Sequence, residues 1–182
     1  MPPAAPVASA EAPRTPTGAP APTDASTAMA STPVATATGA ALAWSAPARW
    51  QAKPASSMRR GSYTVSGEGT ATADLAITAF PGDVGGEAAN VNRWRGQLAL
   101  TPLPETAASS ALTRFAVGDL KFAVVDLSGT ANGQPARLVG AMVPFGGATW
   151  FFKLIGPDAL VAQEKPAFLA FLQTVQPAAP TP

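Results

Sequence analysis

The sequence contains no cysteine and no histidine. Their absence removes disulfides, thiol nucleophiles, thiolate or imidazole metal sites and the usual general base of enzyme catalysis. A hard-cation site built from oxygens survives that exclusion, but the acidic residues are scattered and none shows a calcium-loop spacing, so neither metal nor cofactor is expected. Charge of one sign is lacking too: twelve Lys and Arg stand against eleven Asp and Glu, a formal net charge of +1 over 182 residues. With no basic block and no basic helix face, the footprint of a nucleic-acid binder is missing. A membrane-spanning helix needs a run of roughly 18 apolar residues, and the chain has none. The opening MPPAAPVASA lacks the basic and apolar regions of a secretory signal. Either the protein is made without one, or the sequence begins after its removal.

What is present divides at Trp44. Residues 1–43 are dominated by Ala, Pro, Thr and Ser, with Pro2, Pro3, Pro6, Pro13, Pro16, Pro20, Pro22 and Pro33 and no aromatic residue before Trp44. Such a segment buries too little apolar surface to offset the entropy of ordering, and it reads as a disordered linker that tethers a domain. Residues 44–176 read as one α/β domain and residues 177–182 as a frayed tail. Trp44, Pro47 and Trp50 form an aromatic entry segment that closes the edge of a core.

Within the domain, Ser57 to Val65 and Thr72 to Phe80 alternate as strands around the turn at Gly67 and Gly69. The second has apolar residues on both faces, as a strand covered on both sides would. Three further strands are expected at Lys121–Leu127, Arg137–Val143 and Thr149–Ile155, with Arg114–Val117 as a short extra edge. Asn132-Gly133 signals a hairpin turn inside a loop that reads as longer than two residues. Glu105–Ser110 reads as an irregular surface loop. The last helix is expected between Ala159 and Val175, its regular part beginning near Lys165 because Pro166 suits a first turn. The order β-β-α-β-β-β-α predicts an α+β fold, an antiparallel sheet of about five to six strands with helices packed on it.

The chemistry-bearing stretch is FPGDVGGEAANVNRWRGQL, from Phe80 to Leu98. A Gly-rich turn at Gly82, Gly85 and Gly86 leads into a helix whose Ala88, Val91, Trp94 and Leu98 recur at core-facing spacing. Asn90, Arg93 and Gln97 align on a neighbouring polar face. The turn is neither a Walker loop nor a dinucleotide fingerprint. Asp83 and Glu87 would repel an anion there, while suiting the helix dipole. Gly85, Gly86, Asn90, Asn92, Arg93, Trp94 and Gln97 are therefore the candidate contact residues. Their amides and guanidinium could read a carboxylate or a peptide backbone, or could instead bond loop carbonyls and fix the helix. Catalysis has less to draw on: Lys53, Ser57, Asp74, Asp126 and Lys153 exist, but no nucleophile elbow and no framed pair of acids does.

Several segments resemble a group of uncharacterised bacterial envelope proteins, often lipoproteins. They are Met58-Arg59, Ala73-Asp74, the block from Gly85-Gly86 through Asn90-Val91 and Arg93-Trp94 to Gly96-Gln97, Val125 to Thr130, Gly140 to Val143, and Trp150 to Leu154 before Gly156-Pro157. That group is similar, more distantly, to the PsbP-like α-β-α sandwich, whose characterised members are binding and assembly subunits. The resemblance implies a non-enzymatic module at the envelope or periplasm, binding a protein or small ligand. A lipid anchor would need a cysteine upstream of this sequence. A small hydrolase using carboxylate or Ser/Lys chemistry and a passive structural domain are the alternatives.

Overall fold

The computed structural model describes residues 40–54 and 56–179. The linker expected over residues 1–43 falls outside them as far as residue 39, as do residues 180–182 of the tail. Nine strands are described: β1 (Leu42–Ala43), β2 (Gln51–Ala52), β3 (Gly61–Ser66), β4 (Thr72–Pro81), β5 (Thr113–Val117), β6 (Leu120–Ala131), β7 (Gln134–Phe145), β8 (Ala148–Pro157) and β9 (Gln176–Pro177). Three helices accompany them: α1 (Gly86–Gln97), α2 (Glu105–Ser110) and α3 (Asp158–Leu172). β2 to β8 form one sheet in the order β2-β3-β4-β8-β7-β6-β5, and β1 pairs with β9. All pairings are antiparallel. The sheet thus has seven strands where the sequence pattern predicts five to six. The two-residue β2 is too short to show a period of its own.

Both faces of this sheet are buried. Leu75 and Ile77 of β4, Val139 and Ala141 of β7, and Phe152 and Leu154 of β8 meet Phe168, Phe171 and Leu172 of α3 in one core. Their strand neighbours Leu138, Met142 and Phe151 point the other way and meet Val91, Trp94 and Leu98 of α1 in a second. The architecture is an α-β-α sandwich, as the two-faced apolar strands predict. Trp44 and Trp50 do close the first core: Trp44 meets Phe152 edge-on and donates to the Tyr63 hydroxyl at 2.9 Å, and Trp50 donates to Glu164 at 3.0 Å.

Four local readings are corrected. Asn132-Gly133 is the whole connection between β6 and β7. Both residues have left-handed φ (50° and 73°), as a two-residue turn matched to strand twist requires, and β6 therefore runs on to Ala131. Glu105–Ser110 is a helix, not an irregular loop, and Ala108 anchors it in the second core. β5, expected from Arg114, starts one residue earlier. The last helix starts at Asp158, with Pro166 inside it. Pro166 and Ala162, the residue whose carbonyl loses a donor, are both exposed, so water can satisfy that carbonyl. Leu160 and Val161 before the break and Phe168 to Leu172 after it hold both halves on the sheet.

The second face depends on one close approach. A Cβ placed on Gly140 of β7 would lie 2.4 Å from Cζ3 of Trp94. The indole therefore rests on bare backbone, and α1 lies over β6 and β7. Replacing Gly140 by Ala should lower stability by about 1–3 kcal/mol or more in denaturant unfolding, since a rigid ring cannot give way. Pro166→Ala should act oppositely, raising stability by up to about 3 kcal/mol as the missing helical bond forms.

Candidate functional site

Gly85 caps the start of α1 with a φ of 80° that only glycine adopts easily, and Asp83 Oδ1 accepts from the Gly86 N–H at 2.9 Å. The Gly-rich turn thus works as a helix start. Asn90 is 2% exposed and its Nδ2 donates to the carbonyls of Val84 and Gly86 at 3.0 and 2.7 Å. Asn92 exchanges two bonds with Leu103: its Nδ2 donates to the carbonyl at 2.9 Å and its Oδ1 accepts from the N–H at 2.8 Å. That pair fixes the segment leaving the helix.

Beside α1 lies an open cleft of about 270 Å³. Its floor comes from β4 and β8, where alternate residues Ala76, Thr78 and Phe80 stand next to Phe151 and Lys153. Asn90, Arg93, Trp94 and Gln97 of α1 form one wall, and Arg59 closes the other side. Of the seven candidate residues, the structure brings these four together. Asn92, Gly85 and Gly86 line a separate hollow with Glu87 and Glu105. Arg59 is not among the candidates the sequence offers, and Lys153 is there only as a catalytic group. The strand period of TWFFKLI places Lys153 on the same face as Phe151, but only the β4–β8 register brings both beside α1.

Cross-strand register explains why a hollow forms. Ser62, Ala76, Lys153 and Gly140 stand opposite one another on β3, β4, β8 and β7. Ser62, Ala76 and Gly140 keep this row low around Lys153, and the helix covers its Gly140 end. The β3–β4 end is roofed by side chains instead: Arg59 Nη1 donates to Ser62 Oγ at 2.9 Å and pairs with Asp74 at 3.0 Å, and Lys53 also pairs with Asp74.

The electrostatics are one-sided. No acid lines the cleft. Asp74, next to Arg59, is penalised by burial, but hydrogen bonds from Lys53 and Arg59 outweigh the penalty and hold its carboxyl below the usual range. Arg93 and Lys153 are bonded to neutral amides: Arg93 Nη1 donates to Asn90 Oδ1 at 2.5 Å and Lys153 Nζ to Gln97 Oε1 at 3.1 Å. Burial, and then the charge of Arg59, push the Lys153 ammonium below its ordinary pKa, with Asp74 opposing weakly. Among the described residues, no group of three or more acids gathers where a metal could sit, and no helix is long and apolar enough to cross a membrane.

A lysine with a lowered folded-state pKa loses its proton on the folded chain first. Between that pKa and the unfolded value of about 10.4 the unfolded chain holds more protons, so this group makes stability rise with pH. Below that window the charged lysine weighs against folding. Lys153→Met should therefore raise the melting temperature at pH 7, and should remove part of the alkaline rise seen in the parent protein. A lower melting temperature at pH 7 would mean that Lys153 is a structural ion.

No protein-family model matches the chain, and no curated protein matches its sequence. Solved structures do share its fold. LpqN of Mycobacterium tuberculosis, described as involved in cell envelope biogenesis, is similar at a TM-score of 0.51 and 16% identity, over 78% of this chain and 85% of LpqN. The cyanobacterial PsbP of Synechocystis is similar at a TM-score of 0.45 and 13% identity, over 81% of this chain and 96% of that one. At 16% identity the likeness to LpqN carries the fold and not a ligand.

Proposed function

We propose that this chain is a non-enzymatic binding module of the bacterial cell envelope and that the cleft beside α1 is its contact surface. One observation carries the reading: Arg93 and Lys153 are aimed by amide oxygens, not by acids, so their positive charge is positioned without being neutralised. Cations on the α3 face of the sheet are treated differently. Arg137 is paired with Asp126 and Asp158 at 2.9 and 3.0 Å, and Lys165 with Asp126 at 2.8 Å. The fold shared with LpqN supports an envelope setting, and the Ala- and Pro-rich composition of the residues before β1 supports a tether.

A second reading draws on Lys153 alone. Burial that favours its neutral form is also how a catalytic amine is tuned. Its hydrogen bond goes to Gln97, however, and the nearest acid, Asp74, is held ionised by two cations and is a weak base.

Arg93 is exposed, and its side-chain bond is the one to Asn90. Arg93→Ala should leave the domain folded at a cost of no more than about 1–3 kcal/mol, because the change removes the donor to the Oδ1 of buried Asn90. The same change should weaken capture of the partner from envelope extract. Loss of the folded state would instead make Arg93 a structural residue.

A further inference from the structure

The size and lining of the cleft narrow what it takes. Ligand pockets for drug-sized molecules span roughly 300–1,000 Å³, and this one is about 270 Å³. It suits a small molecule or the last residue of a chain, and not a folded surface. Its apolar part is aromatic: Phe151 packs at 6.0 Å from both Phe80 and Trp94, edge-on to the indole. Its polar part is cationic, with Arg93 in the wall and Lys153 in the floor, both outside every ion pair among the described residues.

The two cations are held ready. Asn90 spends its Nδ2 on two backbone carbonyls, which fixes its Oδ1 toward Arg93 and leaves the rest of the guanidinium fork unspent. Gln97 similarly positions the Lys153 ammonium. A guanidinium fork matches the two oxygens of a carboxylate, and a half-buried ammonium gains from an anion that offsets the cost of its burial. A phosphate site would more naturally use free backbone N–H groups in a Gly-rich turn, but Gly85 and Gly86 line the other hollow, with Glu87 and Glu105 beside them.

Resting on the binding reading above, we propose that the cleft takes a carboxylate carried on a small aromatic or apolar body, with the carboxylate on Arg93 and Lys153 and the body against Phe80, Trp94 and Phe151. A free organic acid and a peptide ending in an apolar residue both present this chemistry.

Titration of the full chain with N-acetylphenylalanine, followed by amide NMR shifts and calorimetry, tests it. The acid should shift the resonances of α1, β4 and β8, and N-acetylphenylalaninamide should not bind measurably. Arg93→Gln and Lys153→Met should each weaken the acid roughly ten- to a hundredfold, the loss of a charged hydrogen bond, with the fold intact in both. A tetrapeptide ending in phenylalanine that binds at least as well assigns a chain terminus, and its exclusion assigns a free acid. Equal binding of acid and amide overturns the proposal, as does inorganic phosphate binding in place of the acid with the same dependence on Arg93. If neutral aromatic fragments shift the cleft resonances and acids have no advantage, the carboxylate is wrong and the binding surface stands. If neither acids nor fragments shift them, both are wrong.

Discussion

The indole of Trp94 lying on the bare backbone of Gly140 is the contact on which the α1 side of this protein depends. It allows α1 to sit closer to β7 than any side chain would permit. A second approach supports the far end of the helix, where a Cβ on Gly129 would lie 2.4 Å from the Leu98 carbonyl, which accepts from the Thr130 N–H at 2.9 Å. With two such seats the helix has little freedom to roll. The neighbours of Trp94 in the helical register, Asn90, Arg93 and Gln97, are thereby directed to one side, over β4 and β8. A side chain at position 140 would lift the helix and flatten the cleft together.

The two faces of the sheet use polar groups in different ways. On the α3 face, charge is neutralised in place: Glu164 accepts from Arg49 and Trp50, and Asp126, Arg137, Asp158, Ser128 and Lys165 are joined in a network. These contacts tie the entry segment to α3, α3 to the sheet and β6 to β7. On the α1 face the helical layer stops over β6 and β7, and the sheet beyond it is covered by side chains alone. Polar groups there divide in two. Asn90 and Asn92 satisfy backbone carbonyls and build the fold, while Arg93 and Lys153 are left with amide partners at the mouth of a hollow. Burial is what makes the distinction chemical, because an uncompensated ammonium near an aromatic floor is the group that an incoming anion would stabilise most.

Much of this was legible in the residues. Val91, Trp94 and Leu98 announced the buried stripe of α1, and the i, i+3, i+7 spacing of Asn90, Arg93 and Gln97 placed them on one face. The double-sided apolar pattern of β4 announced a covered strand, and with it the sandwich. What failed were cases where tertiary contacts overrode a local rule. Pro166 would end an isolated helix, but here the sheet holds both halves and solvent takes the freed carbonyl. ETAASS has no strong periodicity, and one buried Ala108 suffices to fix it as a turn and a half against α1. Arg59 and Lys153 were illegible as site residues for another reason. They are far from α1 in the chain, and only the pairing of Ala76 with both Ser62 and Lys153 brings them beside it.

Lys153 also bears on whether the cleft is a by-product of packing. A fold optimised for stability alone would place an apolar residue on that sheet position, between Phe151 and Ile155 on the same face, where burial works against a charge. Arg59 adds to the repulsion, and Asp74, already engaged by two cations, relieves little of it. Gln97 supplies one neutral acceptor, which orients the ammonium without cancelling its charge. Of the three positive groups around the aromatic floor, Arg59 is paired with Asp74, while Arg93 and Lys153 are held only by amide contacts. An anion is the one class of ligand that turns each of these unfavourable terms into a favourable one, so the strain at Lys153 is better accounted for by what enters the cleft than by what surrounds it.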